Sequence, residues 1–167
     1  GAKLAGQHGL GMLCLAASVF AAYDVLDVNW AIACETAAAQ GRTMDPAELR
    51  LVVPMHLAET REQAWSNIQF GFEPWEDYSF SVNPKTGLLG LGGIKEAVET
   101  GLAVVGTPDD AVACLEKYWD KTGGFGCFLH LATNWADFEA TKRSYELFAR
   151  YAMPKFAGRN SQRAASL

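Results

Sequence analysis

Two histidines and a polar pair occupy the positions of this sequence best placed for ligand chemistry. His56 and His130 each lie near the end of an apolar run, and Asn134 and Trp135 follow the run that contains His130. Runs of this kind are typical of buried parallel strands. In parallel α/β proteins, ligands bind at the carboxyl ends of the strands, where side chains from several strands meet. The sequence therefore predicts that these four residues are candidates for a binding site.

Each of these residues also has a purely structural interpretation. A histidine inside an apolar run is commonly a hydrogen-bonded core residue, and Asn134-x-x-Asp137 fits a helix cap. The sequence shows no Ser/His/Asp or Cys/His arrangement for nucleophilic catalysis and no metal-ligand spacing. Catalytic residues thus stay unidentified and no metal is expected. The four cysteines lie in apolar segments, which predicts reduced core thiols in a cytoplasmic protein.

Apolar runs alternate with helical patterns, which places these residues in an α/β framework. Three runs are convincing strands, over residues 10–17, 49–58 and 127–132, and the last is expected to be buried. Helices are predicted over residues 1–8, 23–40, 60–80, 94–100, 107–122 and 135–153. Pro74 should end or kink the third helix, and Pro154 should end the last one. Alternation of this kind predicts parallel pairing, and three strands are too few for a complete (β/α)8 barrel.

The composition fits one globular domain without a surface for nucleic acid or anionic membranes. The chain has 167 residues, a net charge of −5 and a pI near 5.2, and its basic residues form no run. Residues 9–22 are apolar like the core of a signal peptide, but a central Gly-Leu-Gly favours a strand. Because the chain starts without an initiator Met or a leader, we expect it to be a piece of a longer protein.

Four motifs in order give the chain a resemblance to a known family. They are AGQHGLGML at 5–13, VGTPDDA at 105–111, TGGFGCF at 122–128 and FARYAMPKF at 148–156. Together they resemble the C-terminal half of the bacterial-luciferase-like, flavin-dependent monooxygenases. Two shorter stretches, at 135–137 and 141–145, are similar to a subgroup that acts on terpene-like or aliphatic substrates.

The resemblance implies the C-terminal part of a (β/α)8 TIM barrel that binds FMN at the carboxyl ends of its strands. Residues 1–156 would supply the sixth to eighth strands, and 157–167 would be a polar tail. His130, Asn134, Trp135 and His56 would then be cofactor-binding residues. The implied reaction oxygenates a small apolar substrate through a flavin C4a-peroxide. O2 is the co-substrate, and a separate flavin reductase delivers the reduced FMN.

The resemblance also implies partners and leaves alternatives open. The missing N-terminal half, as the same or a second chain, is needed to complete the barrel, so the fragment alone is expected to be inactive. A homodimer is expected, with neither nucleic acid nor membrane as partner. One alternative is a deazaflavin (F420)-dependent oxidoreductase of the same superfamily that transfers hydride. The others are a non-catalytic flavin-binding accessory protein and a small open α/β domain without a flavin.

Overall fold

Four parallel strands form the sheet of the computed structural model, which describes residues 1–14, 20–85, 87, 93–131 and 134–159. The central strand β2 (Leu49–Leu57) pairs with β1 (Met12–Cys14), β3 (Val104–Gly106) and β4 (Cys127–Leu131). β1 and β4 lie beside the first part of β2, whereas β3 lies beside its last three residues. The predicted α/β class with parallel pairing is confirmed. Over the described residues the sheet is not closed.

Helices precede, connect and follow these strands. They are α1 (Ala2–His8), α2 (Phe20–Asp24), α3 (Leu26–Ala38), α4 (Arg61–Asn67), α5 (Phe72–Val82), α6 (Gly93–Glu99), α7 (Pro108–Thr122), α8 (Phe138–Leu147) and α9 (Met153–Phe156). Short 3-10 turns lie at Pro46–Glu48 and Ile68–Phe70, and a π-helical turn at Phe148–Ala152 joins α8 to α9.

Helix α7 shows how local sequence sets the boundaries of an element. The Thr107 hydroxyl accepts from the Asp110 N–H, and the Asp110 carboxylate accepts from the Thr107 N–H at 2.8 Å, which forms a reciprocal cap. Pro108 takes the first helical position, where no N–H is needed. Gly123 ends the helix with φ of 72°, a left-handed conformation that glycine adopts without strain. These boundaries are the predicted ones.

The strand count and the first half of the fold differ from the sequence-based prediction. Three strands were expected, but residues 104–106 form a fourth, β3, which is too short to show a periodic pattern. The helix predicted over 23–40 is two helices, divided at Val25. Most of the Gly-rich stretch at residues 83–93 and the part of the predicted 157–167 tail from residue 160 onward lie outside the described residues.

Two helix boundaries were predicted wrongly because tertiary contacts and local proline geometry decide them. The helix expected over 60–80 breaks at Gly71, not at Pro74, which sits in the first turn of α5 where its missing N–H is tolerated. The last helix begins at Phe138 under an Asp137 cap, not at Trp135. It continues through Pro154 after widening into the π-helical turn.

Alternation along the strands divides the sheet into two faces with different surroundings. The helix-covered face is formed by Leu49, Leu51, Val53, Met55 and Leu57 with Phe128 and His130. Phe128 packs on Tyr118 of α7 and on Phe148, so α7, α8 and the π-helical turn cover this face. The open face is formed by Leu13, Arg50, Val52, Pro54 and His56 with Cys127, Leu129 and Leu131.

Strand β4 is not the buried strand that its apolar sequence predicts. On the open face the side chains of Leu13, Leu129 and Leu131 are 52%, 42% and 43% exposed, although those of the central strand between them are buried. On the helix-covered face Leu49, Leu51, Val53 and Leu57 are fully buried. An apolar run therefore marks β4 as a strand but does not reveal that one of its faces lacks a cover within the described residues.

Candidate functional site

His56 and His130, the two predicted site histidines, lie on opposite faces of the sheet. His130 is in register with Val53 of β2, which places it on the helix-covered face. His56 is three residues further along β2, an odd number, so it belongs to the open face, one residue before the strand ends. The structure thus brings both histidines to the carboxyl end of the sheet without placing them on one wall of a pocket.

A side-chain amide from helix α4 holds His56. The Asn67 amide nitrogen lies 3.1 Å from His56 Nε2, and Asn67 Oδ1 accepts from the Gln63 amide nitrogen at 2.6 Å. Burial lowers the pKa of His56 to about 4, and the nearby His130 adds to this effect while Asp137 opposes it. His56 is therefore a neutral imidazole at neutral pH.

His130 is tied to the backbone of the neighbouring strand. Its Nε2–H donates to the Met55 carbonyl oxygen at 2.8 Å, and its ring lies 4.6 Å from the Tyr145 ring and 5.2 Å from the Phe148 ring. Burial lowers the pKa of His130, an effect that the bond to Met55 opposes. Its Nδ1 is buried and has no hydrogen-bond partner among the described residues. His130 fits a residue that anchors the end of β4 to β2 and α8.

Asn134 and Trp135 form a turn after β4 that docks on the segment between α4 and α5. The Gly71 N–H donates to the Trp135 carbonyl at 2.9 Å, and a Cβ on Gly71 would come within 1.9 Å of the Asn134 carbonyl oxygen. The Trp135 side chain is buried in edge-to-face contact with Phe72 and Trp75. Its indole N–H has no acceptor in the described part of the chain, whereas the Asn134 side chain is exposed.

One short segment connects the two parts of the candidate site. Residues 67–71 carry the Asn67 amide that contacts His56 and the Gly71 backbone that contacts the 134–135 turn. Ser144 of α8 adds a further link, because its hydroxyl accepts from the Leu57 N–H at 2.8 Å. His56, Trp135 and Asn134 are therefore grouped at the carboxyl end of the sheet, where ligands of parallel α/β folds bind.

The sequence did not point to Asn67 or Gln63 as site residues. Their spacing of four residues on a helix is a weak signal, since such pairs are common on helix surfaces. Only the fold shows that the helix passes the end of β2 so that Asn67 reaches His56. The one signal that was available is the spacing of Gln63 and Asn67 soon after a strand that carries His56 one residue before its end.

A cleft of about 650 Å³ lies elsewhere, between α4, α6, β3 and α7. It contains none of the four predicted residues, and three of its charged groups, Arg61, Asp110 and Lys117, already have partners. Arg61 forms an ion pair with Asp110 at 2.6 Å, which holds the pKa of that carboxyl at about 2, and the Lys117 ammonium donates to the Thr100 carbonyl. Although the cleft is large enough for a ligand, its chemistry does not identify one.

Two kinds of site are not found in the part of the chain that the structure describes. No group of three or more His, Cys, Asp or Glu residues there could hold a metal ion. None of the described helices has the length and apolar character needed to cross a membrane.

Solved structures show the class of fold to which this arrangement belongs. A monooxygenase from Streptomyces bottropensis superposes with a TM-score of 0.73 and 22% identity, covering 93% of this chain and 45% of that protein. The oxygenating constituent of 3,6-diketocamphane monooxygenase from Pseudomonas putida, a type II Baeyer–Villiger enzyme in complex with FMN, gives a TM-score of 0.65 and 20% identity. It is matched over 93% of this chain and 45% of its own. The chain therefore has a fold found in flavin monooxygenases.

Sequence similarity to curated proteins is higher than to these solved structures. The chain is 40% identical over 164 residues to limonene 1,2-monooxygenase of Rhodococcus erythropolis, which covers 95% of this chain and 41% of that protein. It is 34% identical over 170 residues to 4-hydroxyprotoasukamycin monooxygenase of Streptomyces nodosus subsp. asukaensis, which covers 95% of this chain and 44% of that protein. No family model matches the chain.

The predicted resemblance is thus confirmed: over nearly its whole length, the chain is related to the luciferase-like flavin-dependent monooxygenases. It spans less than half the length of the curated relatives that it matches.

Proposed function

We propose that this chain is part of a monooxygenase that uses reduced FMN and O2 to oxygenate a small apolar substrate. The observation that carries the proposal is the 40% identity to limonene 1,2-monooxygenase across almost the entire chain. The FMN complex of a protein with the same fold supports the choice of cofactor. Bound FMN would supply the redox chemistry, with O2 activated as the flavin C4a-peroxide, and a separate reductase would provide the reduced flavin.

The open face of the sheet supports the view that a larger barrel is completed by more polypeptide. Within the described residues, β1 and β4 each pair with β2 alone, so each has a free edge. Leu13, Leu129 and Leu131 expose apolar surface on the same face, and burying a leucine side chain contributes about 1.5–3 kcal/mol. The remaining strands of a (β/α)8 barrel, in the same chain or a second one, would cover this face. Residues 1–156 would then form the C-terminal part of that barrel.

In this arrangement the chain's own residues would help to bind and orient the flavin and the substrate, and they would exclude water. The exposed leucines of the open face would line the barrel interior and keep it apolar, which suits an apolar substrate. His56 and the turn that carries Asn134 and Trp135 would approach the flavin from the carboxyl end of the sheet. His130 faces the helices, so its role would be to hold the end of β4 in place.

The cellular setting follows from the same proposal. We propose a cytoplasmic enzyme that forms a homodimer and receives reduced FMN from a reductase in the same compartment. Cys14, Cys34, Cys114 and Cys127 are all free thiols, which fits a reducing environment. Neither the dimer nor the reductase changes the roles given to the site residues.

Complementation tests the proposal directly. The part of the Rhodococcus limonene monooxygenase that this chain does not match would be produced as a separate polypeptide and mixed with this chain. We expect that neither polypeptide retains FMN alone, whereas the mixture binds FMN. With a flavin reductase and NADH, the mixture should consume O2 in a limonene-dependent manner. If the 167-residue chain alone is a stable monomer that turns over reduced FMN, the proposal is wrong.

Two variants examine whether the open face is the surface that completes the barrel. Leu131→Asp places a charge on that face and should abolish complementation, because an unpaired charge would be buried. Leu4→Asp is the matched control, since Leu4 of α1 is 59% exposed and lies off the sheet. Equal loss in both variants would count against the proposed surface.

A copurifying deazaflavin in the complemented protein would favour F420-dependent hydride transfer. FMN binding without limonene-dependent O2 consumption would favour the accessory role.

A further inference from the structure

A directed chain of hydrogen bonds runs from helix α4 to His56. Thr60 caps α4 by accepting from the Gln63 N–H at 3.1 Å, which fixes the start of the helix. One turn further on, the Gln63 side-chain amide nitrogen donates to Asn67 Oδ1 at 2.6 Å. Because Oδ1 faces Gln63, the Asn67 amide nitrogen faces His56 Nε2 at 3.1 Å.

This arrangement determines which nitrogen of His56 carries the proton. An amide nitrogen has only hydrogens to offer, so His56 Nε2 must accept, and a neutral imidazole that accepts at Nε2 is protonated at Nδ1. Burial and the nearby His130 both disfavour a second proton on His56. Together they outweigh Asp137, which favours it, so the pKa of His56 falls to about 4. His56 thus has one N–H donor, at Nδ1.

The position of this donor gives it a use beyond packing. His56 is on the open face at the last-but-one residue of β2. This is the end of the sheet to which the Trp135 turn also comes. Of the β2 side chains on that face, Arg50 lies at the opposite end of the strand, and Val52 and Pro54 offer no hydrogen. Within β2, His56 is therefore the polar donor at the ligand-binding end.

We propose that Asn67 is a positioning residue that holds His56 in the Nδ1–H form, so that His56 donates from Nδ1 to a carbonyl oxygen of the bound ligand. This assignment rests on the proposed function, because that function places a flavin and a substrate at this end of the sheet. Carbonyl oxygens are present on the flavin ring and on ketones, which are one class of small and largely apolar substrate. The tests below distinguish these two sources of the same acceptor chemistry.

The tautomer is measured in the 167-residue chain, without any ligand. Long-range ¹H–¹⁵N correlation spectra of the labelled chain at pH 7 report which ring nitrogen bears the proton. The His56 signals are assigned by their loss in His56→Gln. We expect the Nδ1–H pattern for His56. An Nε2–H pattern in the wild-type chain would overturn the proposal.

Substitution of Asn67 separates positioning from a general structural role. Asn67→Asp replaces the donor by an acceptor of the same size, so the His56 proton should move to Nε2. Gln69→Leu is the matched control on the same segment, because among the described residues the Gln69 amide bonds to the Trp65 carbonyl and not to His56. It should leave the Nδ1–H pattern unchanged. Asn67→Leu removes the contact without adding a charge, and it should abolish the preference for Nδ1–H. An unchanged tautomer in both Asn67 variants, with dispersed spectra that show a folded chain, contradicts the role of Asn67.

The ligand part is tested in the complemented protein described above. A change in the His56 Nδ1 signal on addition of oxidised FMN alone identifies the flavin carbonyl as the acceptor. A change that needs a cyclic ketone as well identifies the substrate carbonyl. If FMN binds and neither addition changes the signal, the donor role is wrong although the proposed function stands. If FMN does not bind, the donor role is lost together with the proposed function, and the tautomer result stands separately.

Discussion

The two faces of the sheet differ in how completely they are packed. On the helix-covered face, Leu51 and Val53 are fully buried, and so is Tyr118 of α7, which packs beside Phe128. On the open face, Leu129 and Leu131 of β4 are more than two-fifths exposed although they neighbour the same central strand. Apolar side chains predominate on both faces. The difference lies in what covers the two faces within the described residues, and it agrees with the proposal that further polypeptide completes the open face.

The largest expected effect on stability comes from a matched pair of substitutions, one on each face of the sheet. Leu51→Ala on the helix-covered face should lower the free energy of unfolding by about 3 kcal/mol, because it leaves a cavity in packed surroundings. Leu129→Ala on the open face should cost about 1 kcal/mol or less, since its side chain is already partly hydrated. Urea denaturation of both variants gives the comparison. Similar losses would mean that the open face is covered within the chain itself.

The pH dependence of stability should reveal the contribution of His56, a polar residue of the open face. The unfolded chain binds a proton at His56 near the ordinary pKa of 6.5, whereas the folded chain binds it only near 4. The contribution of His56 to the free energy of unfolding is therefore fully present above pH 6.5. It is lost as the pH falls to 4, which lowers the free energy of unfolding by about 3 kcal/mol at most. His130 adds a contribution of the same sign, because its pKa is also lowered. In His56→Gln, urea midpoints should depend less on pH across this window. An unchanged slope would show that His56 is not shielded from water.

Gly126, which precedes β4, bears on the comparison of the two faces. It sets the register of β4 against β2, and this register decides which residues lie on each face. The Gly126 N–H donates to the Leu49 carbonyl at 2.9 Å, and a Cβ at Gly126 would lie 1.8 Å from the Ala47 carbonyl oxygen. That overlap is with backbone and cannot be relieved by a side-chain rotation. Gly126→Ala should destabilise the chain by about 2 kcal/mol. Thermal unfolding measures the loss, and a neutral result would mean that β4 can shift without cost.

Much of the helix-covered face could be predicted from sequence, and particular residues show why. Thr107, Pro108 and Gly123 define α7 by local chemistry alone, and the apolar run of β2 needs no tertiary information. The break at Gly71 could not be predicted, because the Trp135 carbonyl that receives its N–H is distant in sequence. For the same reason Asn67 was missed as the partner of His56.

The open face was mispredicted for a different physical reason. The apolar run of β4 was interpreted as a buried strand, and the interpretation would hold only if both sides were covered. Hydrophobic periodicity shows that a strand has apolar faces to bury. It does not show which part of the polypeptide covers those faces. The family motifs supplied a different expectation, since the resemblance implies that further strands belong to the fold. Which face each histidine occupies required the register of β4 against β2.

The smallest expected effect tests the cap of α7, a helix that covers the packed face. Thr107→Ala removes the hydroxyl that accepts from the Asp110 N–H, which should cost about 1 kcal/mol. Thr107→Ser keeps the hydroxyl and should stay within a few tenths of the wild-type value. The loss in Thr107→Ala should be independent of any added barrel segment, because the cap lies in the chain's own completed packing. Denaturation of the chain alone and of the complemented protein compares the two. If the effect of the cap grew on complementation, α7 would be only partly formed in the free chain, and the packed face would depend on the added barrel segment as well.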